Sequence, residues 1–246
     1  MSTERFEDLP SLPDAPDPVH RTAPKDAMIQ CYVKRTKLKG CLPGTKSGAR
    51  YELFLKDNDQ LLASAEKGAN DTSYALFKPG SSSHLDSERV GKLKANISHT
   101  EFSLVDHGFN ANNRSVWDDD RDKLDSGELD ARRELCAVSV STSMTGGRRL
   151  SVTSNQFKLV SKQPVWDADA KQKKLEFNGR VTLPSVKNFQ LVSQEVSTEC
   201  VPDTPRGGVK MMFGRVGKDA FNLDYSAPLS GVQAFGIALS IFGAKR

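Results

Sequence analysis

The sequence is poor in the residues that usually carry catalysis or cross-linking. Its four histidines, His20, His84, His99 and His107, are scattered, and its four cysteines, Cys31, Cys41, Cys136 and Cys200, stand far apart. No C-x-x-C pair and no cysteine beside a histidine has metal-ligand spacing, so no metal site is expected and no metal-binding residue is assigned. G-x-S-x-G, G-x-x-x-x-G-K-[ST], H-E-x-x-H and G-x-G-x-x-G are all missing, which removes the common nucleophile, phosphate-loop, zinc-protease and dinucleotide signatures. The expectation is a protein that is not an enzyme and carries no cofactor. The amino terminus has no apolar run behind a basic start, so no secretory signal is read; the thiols are expected to be reduced and partly buried, and the setting intracellular. The longest uncharged apolar stretch is shorter than the ~20 residues a membrane-spanning helix needs.

What is present is an ordinary globular composition, with 37% hydrophobic and 27% charged residues over 246 positions. A chain of this size can bury one substantial core. The net charge of +4 is uneven. Residues 1–26 hold six acidic and three basic residues, leaving 32 basic against 25 acidic, or +7, on the rest. That excess suits an acidic partner, either anionic lipid or nucleic acid, and equally an ordinary solvated surface. Five of the 12 prolines also fall in residues 1–26, so this stretch reads as a disordered, acidic, proline-rich lead-in, with the folded domain at 27–246.

From Met28 onward, short runs rich in β-branched and aromatic residues alternate with Gly, Asp, Asn and Ser clusters. Strands are expected at 28–35, 50–56, 60–66, 72–78, 89–96, 101–106, 134–142, 148–153, 156–161, 173–182, 186–193, 209–216 and 219–224. Helical periodicity between them is scarce, which excludes a βαβ pattern. Residues 107–130 are dominated by Asn, Asp and Ser and read as a solvated acidic loop. The period changes only at the end, where Leu229–Phe242 is apolar around nearly its whole circumference, marking a helix buried on all sides. Ser226 or Ala227 can cap it, Pro228 suits its first turn, Gly243 its stop, and Lys245 and Arg246 its negative end. Small residues at 230, 231, 234, 236, 238 and 240 keep it slim. The pattern fits an all-β protein with one buried helix, either a helix threading a closed antiparallel barrel of about twelve strands or a helix laid on a sandwich.

Several segments then acquire a family likeness. Phe177–Val192, reading FNGRVTLPSVKNFQLV, and Phe213–Tyr225, reading FGRVGKDAFNLDY, resemble two long motifs of the tubby family. Gly91-Lys92-Leu93-Lys94-Ala95-Asn96, Gln163-Pro164-Val165-Trp166 and the closing Gln233–Leu239 resemble three more, all in family order across 27–246. The resemblance implies a closed barrel around the C-terminal helix. It also implies binding of phosphatidylinositol 4,5-bisphosphate-type headgroups at the membrane surface, with an adaptor role in membrane or ciliary trafficking or signalling. Under this reading the partners are phosphoinositide headgroups and a protein cargo or trafficking complex. The expected location is cytoplasmic, peripheral at the plasma membrane, with the nucleus as a second destination after release. The alternative from another class is a nucleic-acid-binding transcription regulator, although no recognised DNA-binding motif is present.

A headgroup with several phosphates requires Lys and Arg side chains converging from neighbouring strands. The resemblance directs attention first to Lys94, where relatives usually place Arg, and to Lys92, two residues away on the same strand face. Lys67 stands alone where relatives carry a basic cluster, with Glu66 and Asp71 beside it, and Arg50 completes the expected set. Lys34–Lys39 and Arg148-Arg149 are read as solvated charge. Arg180 and Lys187, though inside the strongest motif, are expected to serve packing and hydrogen bonding.

Overall fold

The computed structural model describes residues 18–25, 27–38, 48–68, 71–81, 89–108, 131–142, 147–167, 171–194 and 208–245. The expected acidic loop lies almost wholly outside these residues, as do residues 1–17, Cys41 and Cys200. The strands are β1 (Ile29–Lys37), β2 (Ala49–Leu55), β3 (Leu61–Lys67), β4 (Ser73–Phe77), β5 (Arg89–Ala95), β6 (Glu101–Val105) and β7 (Glu134–Thr142). They continue as β8 (Arg148–Thr153), β9 (Lys158–Ser161), β10 (Val165–Asp167), β11 (Gln172–Lys174), β12 (Phe189–Ser193), β13 (Val209–Arg215) and β14 (Ala220–Tyr225), and the chain then forms helix α1 (Gly231–Gly243).

Twelve strands close into an antiparallel barrel in the order β1-β14-β13-β12-β9-β8-β7-β6-β5-β4-β3-β2, with β1 hydrogen-bonded to both β14 and β2. Closure removes the free edges that an open sheet would expose. Each strand sends alternate residues inward: Ile29, Cys31 and Val33 from β1, Tyr51, Leu53 and Leu55 from β2, Phe102 and Leu104 from β6. β10 and β11 form a separate hairpin outside the barrel.

Helix α1 fills the lumen, and eleven of its thirteen residues are buried. The threaded barrel, rather than the sandwich, is therefore the fold. Packing is tight enough that a Cβ on Gly236 would come within 2.8 Å of the Leu104 side chain. Ser240, fully buried, donates its hydroxyl to Ile237 O at 2.7 Å, so it enters the core without an unmet hydrogen bond.

Four expectations are corrected. The helix is capped by Ser230, which forms a reciprocal capping box with Gln233; Pro228 precedes the helix instead of opening its first turn. The negative end is neutralised from elsewhere: Arg148 donates to Ile241 O at 2.5 Å and Ala244 O at 3.0 Å, so this arginine is not solvated charge, whereas Arg149 is. The run 173–182 is mostly not a strand. Beyond Lys174 the chain turns at Asn178 and Gly179, both with positive φ, and lies along the outer wall up to β12. Finally, part of the expected lead-in is packed: Val19 and Ala23 are buried, and Ala23 N donates to Leu229 O.

The outer strap explains the longest motif. Arg180 holds the almost fully buried Asp224 of β14 through two bonds, Nε to Oδ2 at 2.7 Å and Nη2 to Oδ1 at 2.5 Å. Asn222 donates to Arg180 O at 2.7 Å, and Gln190 to Glu176 O at 2.6 Å. Arg180 is thus structural, as expected. Lys187 reaches the barrel end, its Nζ 5.8 Å from the Phe242 ring centre.

Candidate functional site

On β5, Leu93 points into the barrel and is inaccessible, which forces Lys92 and Lys94 to the outer face. Their Cα atoms are separated by two residues of strand rise, about 7 Å, so one small polyanion can bridge them. Lys94 stands opposite Ser73 on β4 and Ser103 on β6, two small polar side chains, whereas Lys92 stands opposite Ala75 on β4 and the bulkier Val105 on β6. The result is a shallow outer-wall site with two amines at its centre and two hydroxyls beside one of them.

Lys92 is half-buried and its ammonium is disfavoured. Burial lowers its pKa below the ordinary 10.5, the charges of Lys94, Arg89 and Arg132 lower it further, and Asp71 opposes them. Four cations thus share one field at this position, and a bound anion would relieve their repulsion. Arg132 is held in place by donation from its Nε to Gly108 O at 2.9 Å. Sequence reading missed both arginines. Arg89 opens the same strand as the two lysines, a signal that was available. Arg132 belongs to a different part of the chain and becomes a neighbour only through the pairing of β6 with β7.

The other two expected ligands are placed differently. Lys67 alternates to the inside of β3 and sits in the barrel mouth, its Nζ 5.1 Å from the Tyr74 ring centre. Burial lowers its pKa, Asp71 opposes this and Lys245 adds to it. Arg50 shares the outer-face row of Lys92, since Arg50 pairs with Glu66, Glu66 with Ala75 and Ala75 with Lys92. Its guanidinium forms two loose ion pairs, 3.7 Å from Glu66 and 3.8 Å from Glu52, and its buried Nε has no hydrogen-bond partner among the described residues. The structure therefore brings Lys92 and Lys94 together, and leaves Lys67 around the rim and Arg50 on an acidic neighbour.

The opposite end of the barrel holds a groove of about 1050 Å³ near the start of α1, lined among others by His20, Lys78, Asp106, His107, Arg133 and Gln233. Its polar groups are largely committed. Arg133 bonds Asp106 at 3.2 Å, and Gln233 serves the capping box while donating to Leu135 O at 3.0 Å. Among the described residues no cluster of three metal-ligating side chains occurs, and no helix is long and apolar enough to cross a membrane.

Comparison with known proteins agrees with this architecture. The Tub family model matches residues 19–158 and 149–244. The chain is 31% identical to human Tubby-related protein 3 over 96% of its own length and 58% of that protein's. It is 30% identical to human Tubby-related protein 1, covering 92% of this chain and 45% of the relative. It is 28% identical to Tubby-like F-box protein 6 of Arabidopsis thaliana, covering 97% and 70% respectively. The chain spans about half the length of the mammalian relatives it matches. With the family model covering nearly all of the threaded barrel, the chain belongs to the Tub family.

Proposed function

We propose that this barrel binds multiply phosphorylated inositol headgroups at a membrane surface through Lys92 and Lys94, with Arg132 and Arg89 strengthening the local field. The observation that carries this reading is the placement of Lys92 and Lys94 on one outer face of β5, with Ser73 and Ser103 flanking Lys94, in a field to which Arg89 and Arg132 add positive charge. Lysine–phosphate bonds are charge-assisted and stronger than neutral ones, and basic residues near an anionic leaflet contribute ~1 kcal/mol each. Lysine at 94 supplies charge without the bidentate fork of arginine, so selectivity among headgroup isomers is softer than an arginine would give. The role is that of a membrane-surface adaptor rather than an enzyme, acting in the cytoplasm at the plasma membrane and recruiting protein cargo.

Sedimentation with liposomes containing phosphatidylinositol 4,5-bisphosphate tests this. Wild type pellets with the lipid; Lys92→Ala/Lys94→Ala loses most of the binding, by tenfold or more, while Arg50→Ala changes it little because Arg50 lies on β2, three strands from β5, with the carboxylates of Glu52 and Glu66 beside it. Equal pelleting of wild type and double variant, or none by either, would reject the site. Salt-sensitive retention on DNA without liposome binding would favour the nucleic-acid reading instead.

A further inference from the structure

The β5–β6 turn carries a feature that headgroup binding does not explain. Ile97 is 94% exposed, the most exposed large hydrophobic residue of the described chain. Nothing in the turn calls for an isoleucine, since tight turns favour Gly, Asn, Asp, Ser and Pro. Polar groups around it fix the turn thoroughly. His99 N donates to Asn96 O at 3.1 Å, and Asn96 N to Glu101 O at 2.9 Å. Asn96 Oδ1 accepts from Thr100 N at 3.0 Å and from Glu101 N at 3.2 Å, and Ser98 and Thr100 share a hydroxyl bond of 2.7 Å. Ile97 is thus presented outward on a rigid support and buries nothing in the fold.

Its position is informative. The turn follows Lys94 by three residues and lies at the end of the barrel where α1 finishes, since Gly243 abuts Phe102 and Tyr74, and the Gly243 carbonyl meets His99. That end carries an excess of exposed positive charge. Among the described residues, Lys37, Lys94, Arg149, Lys218 and Lys245 are exposed there against the exposed acids Asp71 and Glu101, while Asp219 is bound by Arg35. Leu38, 37% exposed at the end of β1, is a second apolar group on the same rim. Scattered surface hydrophobics are normal in general. A fully presented isoleucine on a braced hairpin tip, three residues beyond Lys94 and on a rim with exposed cations, fits an anionic lipid surface with an apolar interior immediately below.

We propose that the barrel docks end-on, with the α1 C-terminal rim toward the membrane and Ile97 inserted between lipids as an apolar anchor. This rests on the headgroup reading above and assigns the orientation of the barrel on the bilayer. The lysines hold the phosphates at headgroup level while the isoleucine leaves water just beneath them.

The test compares wild type, Ile97→Ser and Ile97→Trp on phosphatidylcholine vesicles containing phosphatidylinositol 4,5-bisphosphate, and separately with soluble inositol 1,4,5-trisphosphate. Ile97→Ser binds vesicles about tenfold more weakly, roughly 1.4 kcal/mol, yet binds the soluble headgroup and melts like wild type. Ile97→Trp shows emission that shifts to the blue on vesicle addition and is quenched by brominated acyl chains beyond the wild-type background. Unchanged vesicle affinity of Ile97→Ser, or an Ile97→Trp signal indifferent to vesicles, would overturn the anchor while leaving headgroup binding intact. Failure of wild type to bind either vesicle or soluble headgroup would overturn the headgroup reading and the anchor with it.

Discussion

Arg180 and Asp224 show how a single ion pair can hold a motif in place. The carboxylate is 1% exposed and the guanidinium 15%, so neither has water to fall back on. Removing the arginine leaves a buried carboxylate unpaired and releases the strap that carries Phe177 and Asn178 from the barrel wall. Arg180→Ala should lower unfolding stability by about 3–5 kcal/mol in denaturant titration, without removing a phosphate ligand. A loss below 1 kcal/mol would show that the strap is held by its other bonds. At Lys92 the pH dependence has a definite sign. Its folded pKa lies below 10.5, so the folded state releases this proton before the unfolded state does. The unfavourable ammonium is fully present below the folded pKa and is relieved as pH rises toward 10.5. Phosphate binding needs the charged form and pulls the pKa back up. An amine titration followed by NMR should therefore show a midpoint below the ordinary value in the free protein and a higher one with inositol trisphosphate. An unmoved midpoint would contradict contact between Lys92 and phosphate.

At the scale of elements, the helix was readable in the sequence and its ends were only half readable. An apolar circumference over Leu229–Phe242 identifies a buried helix because no single face is left for water. The small residues within it then predict a narrow lumen. The cap was also present in the sequence as Ser230-Gly231-Val232-Gln233, a capping box hidden behind the more conspicuous Pro228. No local pattern could reveal that Arg148, on β8, closes the other end, because that contact spans 93 residues. The strand misread at 173–182 has a local explanation: its β-branched and aromatic content looks extended, but Asn178-Gly179 is a turn pair with φ of 48° and 74°. Gly236 gives the sharpest test of the threading itself. A glycine inside a helix costs about 1 kcal/mol relative to alanine, and here it makes room for Leu104. Gly236→Val should destabilise by about 1–3 kcal/mol through overpacking, measured by thermal or denaturant unfolding. A variant as stable as wild type would mean the lumen is looser than the contacts indicate.

For the whole molecule, twelve strands and one helix make an object with two unlike ends. Both ends expose cations, Lys56, Lys78, Arg133 and Lys158 where α1 begins and Lys37, Lys94, Lys218 and Lys245 where it finishes, but it is the second end that presents the 94% exposed Ile97. Alternation and turn residues in the sequence were enough to predict most of the strands, because inward and outward positions follow a period of two, but they left a sandwich open, and the family likeness was needed to point to a closed barrel. The candidate site was legible only in part. Lys92 and Lys94 share a strand, so spacing alone places them together. Lys67 and Arg50 could not be judged that way, since their direction depends on register and on Glu52 and Glu66 across neighbouring strands. Arg132 joins the site only after the barrel is folded. Titrating labelled protein with soluble inositol 1,4,5-trisphosphate and mapping the perturbed backbone amides tests the headgroup site most directly. Perturbations are predicted at Ser73, Ala75, Lys92, Lys94 and Ser103. Changes confined instead to Lys67, His99 and Lys245 in the barrel mouth, or to His107 and Arg133 in the opposite groove, would contradict the outer-wall site.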